Sequence, residues 1–360
     1  MNSDNIYYRK HYVRKPDKEF ASFDDLYTHA YREEQSSSTK WIPPSDLYAT
    51  VHEGLLKLKL TGDRAFALND WSYYQLCSLL NVDRQIIEQL KPETAAQVIS
   101  ELMPRDNRPL QVFTVGDTIR SIHSISYERL FNSTLLEVII DEVTNMTEFD
   151  DKQFRAPSFF AGECDLFAFM IDESNWVNYR DERFAPAFVV WNSEVGAKSI
   201  GIRSCWFHQQ SAAFLIEDGE DAIAYARRHT SGVHESLSVI RGRIHLWLAS
   251  VETRSQRFLS LLSDAAGAEL TTPIDTLAKR LIGHGISRDL VKAIEWNRPS
   301  PGSSLLSRLD VALKSLSTVR FVQNASSRFE LGAYLASLVL AEGKVSAVAQ
   351  VPQPKLLRSL

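Results

Sequence analysis

Cysteine is scarce in this chain. Cys77, Cys164 and Cys205 are the only three in 360 residues, an odd number with no pair at a metal-ligand spacing. That excludes a disulfide framework or a C-x-x-C centre and reads as buried thiols in a reducing compartment. Long apolar runs are missing too. No stretch approaches the ~18 residues a membrane-spanning helix needs, and the opening MNSDNIYYRK holds no apolar core of an export signal. The expectation is a cytoplasmic protein with no membrane partner. Glycine is infrequent, at 15 residues. The fragment Gly196-Ala197-Lys198-Ser199 lacks a glycine directly before its lysine and a second one five residues earlier, so backbone amides cannot cradle a phosphate and ATPase chemistry is excluded. There is no Gly-x-Ser-x-Gly elbow, His-Glu-x-x-His helix or Cys/His metal spacing, and His229 and His234, five apart, do not stack on one helical face. No catalytic residue, metal ligand or cofactor is assigned.

Charge is present in quantity and unevenly placed. The net charge is −5, but residues 1–196 carry 20 basic and 31 acidic side chains while residues 197–360 carry 20 and 14. Opposite fields in two halves suit a polyanion-facing surface or head-to-tail self-association. The first 20 residues interleave Tyr7, Tyr8 and Tyr12 with Arg9, Lys10, Arg14, Lys15 and Lys18. Cations neutralise phosphates and tyrosine faces stack on unpaired bases, so this composition suits a single-strand-binding arm.

Residues 21–40 end in Gln35-Ser36-Ser37-Ser38-Thr39 and read as a loop; Trp41-Ile42-Pro43-Pro44-Ser45 follows as a rigid extended piece. A strand pair is expected over 51–68, broken at Thr61-Gly62-Asp63. Asn69 or Asp70 then caps a helix carrying Tyr73, Leu76, Leu79 and Leu80, and a second helix carries Ile86, Ile87 and Leu90. The pair mimics a helix-turn-helix, but Glu88 beside only Arg84 and Lys91 makes it a packing unit. Another helix covers 94–103. Leu110–Val115 and Thr118–Ile125 flank a Gly116-Asp117 turn and make the clearest hairpin. A helix over 133–144 and a buried strand over 167–171 follow. Strands over 188–191 and 199–202 flank the polar turn Asn192-Ser193-Glu194-Val195-Gly196, where asparagine and glycine tolerate positive φ.

Beyond residue 218 the pattern turns helical. Residues 222–229 read as a helix with cations at its end. Residues 234–266 read as one long amphipathic helix along Leu237, Ile240, Ile244, Trp247, Val251, Phe258, Leu261 and Ala265, with a polar break near Arg254 and Ser255. Further helices are expected from Thr272-Pro273, over 304–317 and over 325–341. The fold class is α+β, a mixed and mainly antiparallel sheet in the first 210 residues followed by a helical part with one long amphipathic helix. The boundaries are an N-terminal arm and extended segment over 1–44, an α+β core over 45–217, a helical region packed on it over 218–345 and a flexible tail over 346–360.

Four stretches carry a family likeness: Ala67-Leu68-Asn69 through Leu79-Leu80, Ile119-Arg120-Ser121-Ile122 with Ser126-Tyr127, the Asn192–Gly196 turn, and Arg228-His229-Thr230. On these the chain resembles the phage/plasmid-like protein family that includes domain of unknown function 932. It departs after the turn, where an arginine followed by cysteine-asparagine-glycine is usual and Arg203-Ser204-Cys205-Trp206-Phe207 stands here. The resemblance implies a mobile element and a role in DNA replication, recombination, or defence and counter-defence.

Glu194 is the best single candidate acid or ligand; its ordinary role is to accept backbone hydrogen bonds within the turn or to pair with Arg203. The acids Asp141, Glu142, Glu148, Asp150 and Asp151 are hard-oxygen donors of the kind a divalent metal takes in nucleases. The expected function is non-enzymatic binding, and annealing, of single-stranded DNA by a homo-oligomer. Its phosphate contacts are Arg9, Lys10, Arg14, Lys15, Arg120, Arg203, Arg227, Arg228, Arg241 and Arg243. The alternatives are a counter-defence or regulatory protein that binds a host protein, and a metal-dependent nuclease.

Overall fold

A computed structural model describes residues 14–60, 64–105, 107–144, 159–209, 213–216, 222–267 and 279. The chain runs through β1 (Lys18–Phe20), α1 (Phe23–Gln35), β2 (Ser37–Ile42), β3 (Leu47–His52), β4 (Leu55–Leu60) and β5 (Ala65–Leu68). Three helices, α2 (Asp70–Leu79), α3 (Arg84–Ile87) and α4 (Pro92–Leu102), precede the hairpin β6 (Leu110–Val115) and β7 (Thr118–His123), and then α5 (Asn132–Thr144). The later part is β8 (Phe159–Ala161), β9 (Leu166–Ile171), β10 (Val177–Tyr179), β11 (Glu182–Asn192), β12 (Ile200–His208), β13 (Ala213–Ile216) and β14 (Ala224–Arg227), closed by α6 (Glu235–Ala249) and α7 (Val251–Gly267). The α+β class holds. Among the described residues no helix is long and apolar enough to cross a membrane.

The strands form two sheets. The first has the order β2-β6-β7-β5-β4-β3 and is antiparallel except where β5 runs parallel to β7. Its inner face is the apolar half of each strand's alternation: Leu56, Leu58, Leu68, Val112 and Ile119 pack on Tyr73, Leu76, Ala95 and Ile99 of α2 and α4. Helix α2 is seated by a capping box, in which Asn69 Oδ1 accepts from Ser72 N at 2.8 Å and Ser72 Oγ accepts from Asn69 N at 3.0 Å. The Ser72 hydroxyl donates in turn to Ile119 O on β7 at 2.7 Å, so one side chain caps the helix and docks it.

The second sheet has the order β1-β8-β9-β11-β12-β13, with β10 on β11 and β14 on β12. Leu166, Ala168, Met170, Phe188, Val190, Ile200 and Ile202 face Leu26 of α1, Leu135 and Ile139 of α5, and Ile240, Ile244 and Trp247 of α6. Trp206 stacks on Phe258 of α7 at 4.1 Å between centroids. The intervening positions, Phe167, Phe169, Val189 and Cys205 among them, lie on the opposite face.

Three local expectations are corrected. Residues 21–40 are not a loop. Ser22 Oγ accepts from Asp25 N at 3.1 Å, Asp24 and Asp25 favour the start of a helix, and α1 runs directly into β2. Residues 222–229 hold a strand rather than a helix: β14 pairs antiparallel with β12, with Tyr225 opposite Ile202. The helix expected over 234–266 is two, α6 and α7, divided where Ser250 turns its hydroxyl back onto Leu246 O at 2.7 Å while its carbonyl accepts from Arg254 N at 2.9 Å. The helices expected from Thr272 to 341 and the tail over 346–360 lie outside the described residues.

Candidate functional site

The Asn192–Gly196 turn is a clasp between the sheets. Asn192, at the end of β11, donates from Nδ2 to Leu130 O and Asn132 Oδ1, both at 2.9 Å. Ser193 Oγ donates to Cys164 O and accepts from Ala197 N at 2.9 Å. The carbonyl of Val195 accepts at 2.8 Å from Trp71 Nε1 on α2 and, also at 2.8 Å, from His123 Nε2 on β7, so the first sheet and its helix grip the turn of the second. The Glu194 carbonyl accepts from Tyr127 Oη at 2.7 Å and from Arg129 Nη1. Gly196 has φ +71°, and a Cβ there would lie 2.7 Å from the Tyr127 ring and 2.8 Å from His123.

Glu194 itself is buried, its Oε1 accepting from Asn132 N at 2.7 Å. Burial pushes its carboxyl up to about 7, against the pull of the Asn132 N–H and of Arg120. Its partner is the backbone where α5 begins, a long-range contact rather than one within the turn. Arg203 is placed elsewhere, on β12 opposite Ala224. Burial likewise lowers His123 and His229 to about 4 and Arg129 to about 10.

Beside the clasp a cavity of about 400 Å³ opens between the sheets. Its floor is the outer face of the first sheet, Leu55, Ala67, Val115 and Thr118; its walls are Lys15 and Lys18, the segment Ala161–Glu163, and His29 and Glu33 of α1. Arg120 reaches into it because of a β-bulge. Phe113 pairs with Ser121 and Thr114 with Ile119, which leaves Arg120 as the extra residue. Its Nη1 donates to Glu33 Oε1 at 3.1 Å and its Nη2 to Glu163 O at 3.0 Å. The wall carrying Lys15 and Lys18 is held by Arg14, which donates to Asp165 Oδ1 at 2.6 Å and Asp17 Oδ1 at 3.1 Å. Burial is the largest single influence on the Arg14 charge and works against it, but Asp165, Cys164 and Asp17 together outweigh it and raise the guanidinium above its ordinary range. Gly162 permits this contact, since a Cβ there would overlap the Asp17 carboxylate.

The outer face of the first sheet runs into this cavity. Cross-strand pairing places Tyr48, Lys59 and Ala65 in one row, and Thr50, Lys57, Ala67 and Thr118 in the next. Tyr48 is half exposed and Lys59 exposed. Small alanines between the lysines and the cavity leave the surface low there.

Of the residues expected to contact phosphate, the structure brings Lys15 and Arg120 together at the cavity, with Arg14 bracing its wall. Arg9 and Lys10 lie outside the described residues. Arg203 is on the opposite face of the second sheet from α6, which carries Arg241 and the half-buried Arg243. Arg227 donates to Glu235 Oε2 at 2.9 Å, and Arg228 is exposed. Arg241 pairs with Glu142 Oε1 at 2.6 Å and Asp141 Oδ2 at 3.6 Å, and His245 lies 2.7 Å from Glu142 Oε2. Two members of the acid cluster thus face cations, and Glu148, Asp150 and Asp151 lie outside the described residues; among those described, no group of three ligating side chains could hold a metal ion. Sequence reasoning missed Tyr48, Lys57 and Lys59. The signal was there in Leu55-Leu56-Lys57-Leu58-Lys59-Leu60, whose alternation sends leucines to the core and lysines to the other face. Comparison with protein-family models, curated proteins and solved structures found no match.

Proposed function

We propose that the chain binds single-stranded nucleic acid, without turning it over, along the outer face of β3, β4 and β5 toward the inter-sheet cavity. The observation that carries this reading is the pair of rows in which Tyr48 stands opposite Lys59 and Thr50 opposite Lys57, leading to Lys15 and Lys18 at the cavity mouth. Lysines neutralise successive phosphates, an exposed tyrosine face stacks on an unpaired base, and alanines let the strand lie close. The basic, tyrosine-rich residues 7–12 precede Lys15 and Lys18 in the sequence, and the phage or plasmid setting implied by the family likeness fits such a role. Annealing by a homo-oligomer belongs to the same reading, the unlike charges of the two halves drawing copies together.

The test is fluorescence anisotropy with a labelled oligonucleotide at low and moderate salt. Binding should weaken as salt rises, and replacing Lys57 and Lys59 by alanine should lower the log–log salt slope by about 0.7 for each phosphate no longer neutralised. Tyr48→Ala should weaken binding by about 1–3 kcal/mol if one base stacks there. Arg228→Ala, away from this face, serves as the control. Absence of binding at micromolar protein and low salt, or equal binding by the Lys57/Lys59 double variant, overturns the proposal.

A further inference from the structure

At the clasp a stack of three rings crosses from one sheet to the other, with an imidazole at each end. His123, on β7 of the first sheet, lies against Tyr127 with ring centroids 3.6 Å apart and planes 9° from parallel. Tyr127 stacks in turn toward His229, which follows β14 of the second sheet, at 5.7 Å. His229 is buried, and neither of its ring nitrogens has a hydrogen-bond partner among the described residues. A neutral imidazole carries one N–H and an imidazolium two. Protonation in the closed clasp would therefore leave a charge and both its donors unmet.

The surroundings oppose that charge. Arg129 lies over the Phe113 ring at 3.6 Å and faces the Tyr127 ring at 5.3 Å, while it donates to Glu194 O and, at 2.9 Å, to Gln111 Oε1. It sets a standing cation beside the stack. From α2 the uncharged Gln75 amide approaches His123, 3.4 Å from its ring nitrogens. Beside His229 stand Glu128, whose Oε2 accepts from Gly232 N at 2.7 Å, and His234, whose Nε2 is 3.8 Å from Glu128 Oε1. The Glu194 carboxyl is held by Asn132 N and feels Arg120 and Glu33 as well as Arg129. Burial first, and Arg129 after it, keep both imidazoles neutral in the fold.

Each sheet has a core of its own, with Leu56, Leu58 and Ile99 in the first and Phe188, Ile240 and Trp247 in the second. The apolar cluster at the clasp is smaller: Phe113, Cys164 and Val195 with partly buried neighbours such as Trp71 and Phe131. Few apolar contacts and several ionisable groups mark a place where a fold opens below its global stability.

We infer that the clasp is an acid-released latch, in which proton uptake by His123 and His229 parts the two sheets there while each keeps its own core. The α1–β2 junction and the Arg120 contacts with Glu33 and Glu163 O still tether the halves. Opening brings both rings to water, where each takes up a proton, and wets Glu194, which gives one up. The net uptake between 4.5 and 6.5, the free values of carboxyl and imidazole, is close to one proton.

Hydrogen exchange of the full chain, read by peptide mass spectrometry and corrected for the chemical rate at each pH, measures this opening even when it is rare. Peptides covering 124–132 and 192–197 should open roughly five- to tenfold more at about pH 5 than at about pH 6. They should also be less protected than β4 and β11 at both. His229→Phe keeps a ring against Tyr127 and removes one proton from the count, so its opening should not change with pH. Glu194→Gln removes the released proton and should raise the change to about fiftyfold. His52→Gln, at an exposed histidine of β3, should behave as wild type. Thermal melting checks that each variant is folded, and the wild-type series decides even where one is not. Wild-type opening that is the same at both pH values overturns the latch, as does a folded His229→Phe variant that keeps the wild-type pH dependence. Clasp peptides as protected as β4 and β11 overturn it too, since opening would then be global.

Discussion

Gly196 sits where no other residue fits. Its φ of +71° belongs to the left-handed region, and the space for a Cβ is already taken by Tyr127 and His123. Gly196→Ala should cost about 2–4 kcal/mol, combining backbone strain with overlap, read as a lower urea midpoint at unchanged slope. The ionisable residues around it make a prediction with a definite sign. His123 and His229 titrate near 4 in the fold against 6.5 when free, so the unfolded chain binds more protons between those values and stability falls as pH drops through that window. Glu194 runs the other way: near 7 folded against 4.5 free, its contribution is complete below 4.5 and lost as pH rises to 7. Two histidines outweigh one carboxyl between pH 4.5 and 6.5, giving a net rise of about 1.4 kcal/mol per pH unit, and above 6.5 only the decline remains. Stability should therefore peak near pH 6.5, and Glu194→Gln should steepen the rise and remove the decline. A flat profile over pH 4.5–7 by chemical denaturation would contradict this. The sequence placed Glu194 in a structural role, but its partner, Asn132 N, is 62 residues away and no local pattern announces it.

In helix α2 a single hydroxyl has two duties. Ser72→Ala removes both the cap's reciprocal bond and the donation to Ile119 O, leaving two buried backbone groups short of a partner. The expected loss is about 2–3 kcal/mol by thermal or urea melts; a change under about 0.5 kcal/mol, ordinary for surface sites, would show that the cap carries little. This helix and the β6–β7 hairpin were legible in sequence because their signals are local: a capping asparagine before a 3.6 period, and a Gly-Asp pair between alternating strands. Gly116 indeed takes φ +56°. Helix α1 was not legible, because of its 13 residues only Leu26 and Ala30 are fully buried, too narrow a stripe to stand out among aromatics and acids. Strand β14 was missed for a related reason. Ala224-Tyr225-Ala226-Arg227 has good helix formers, and its partner β12, more than 20 residues earlier, decides its state.

At the scale of the molecule, the candidate site exists only because two sheets meet. Composition pointed to cations and tyrosines, but not to the surface that gathers them: Lys15 comes from the N-terminal segment, Arg120 from a bulge, and Lys57 from a strand whose face is set by pairing. The sheets meet through the clasp, and the three thiols happen to be distributed around it. Cys77 lies in the core under the first sheet, Cys205 on the far face of the second, and Cys164 beneath the clasp with Phe113 and Val195. All three are buried, and burial raises Cys77 to about 11 and Cys164 to about 12, so none reacts until its surroundings open. The chain thus carries a natural three-channel clock of its own breathing. Timed alkylation under native conditions, followed by peptide mass spectrometry, should show Gly196→Ala hastening modification of Cys164 ahead of Cys77 and Cys205. Equal acceleration at all three would mean instead that the sheets part only when the entire fold does.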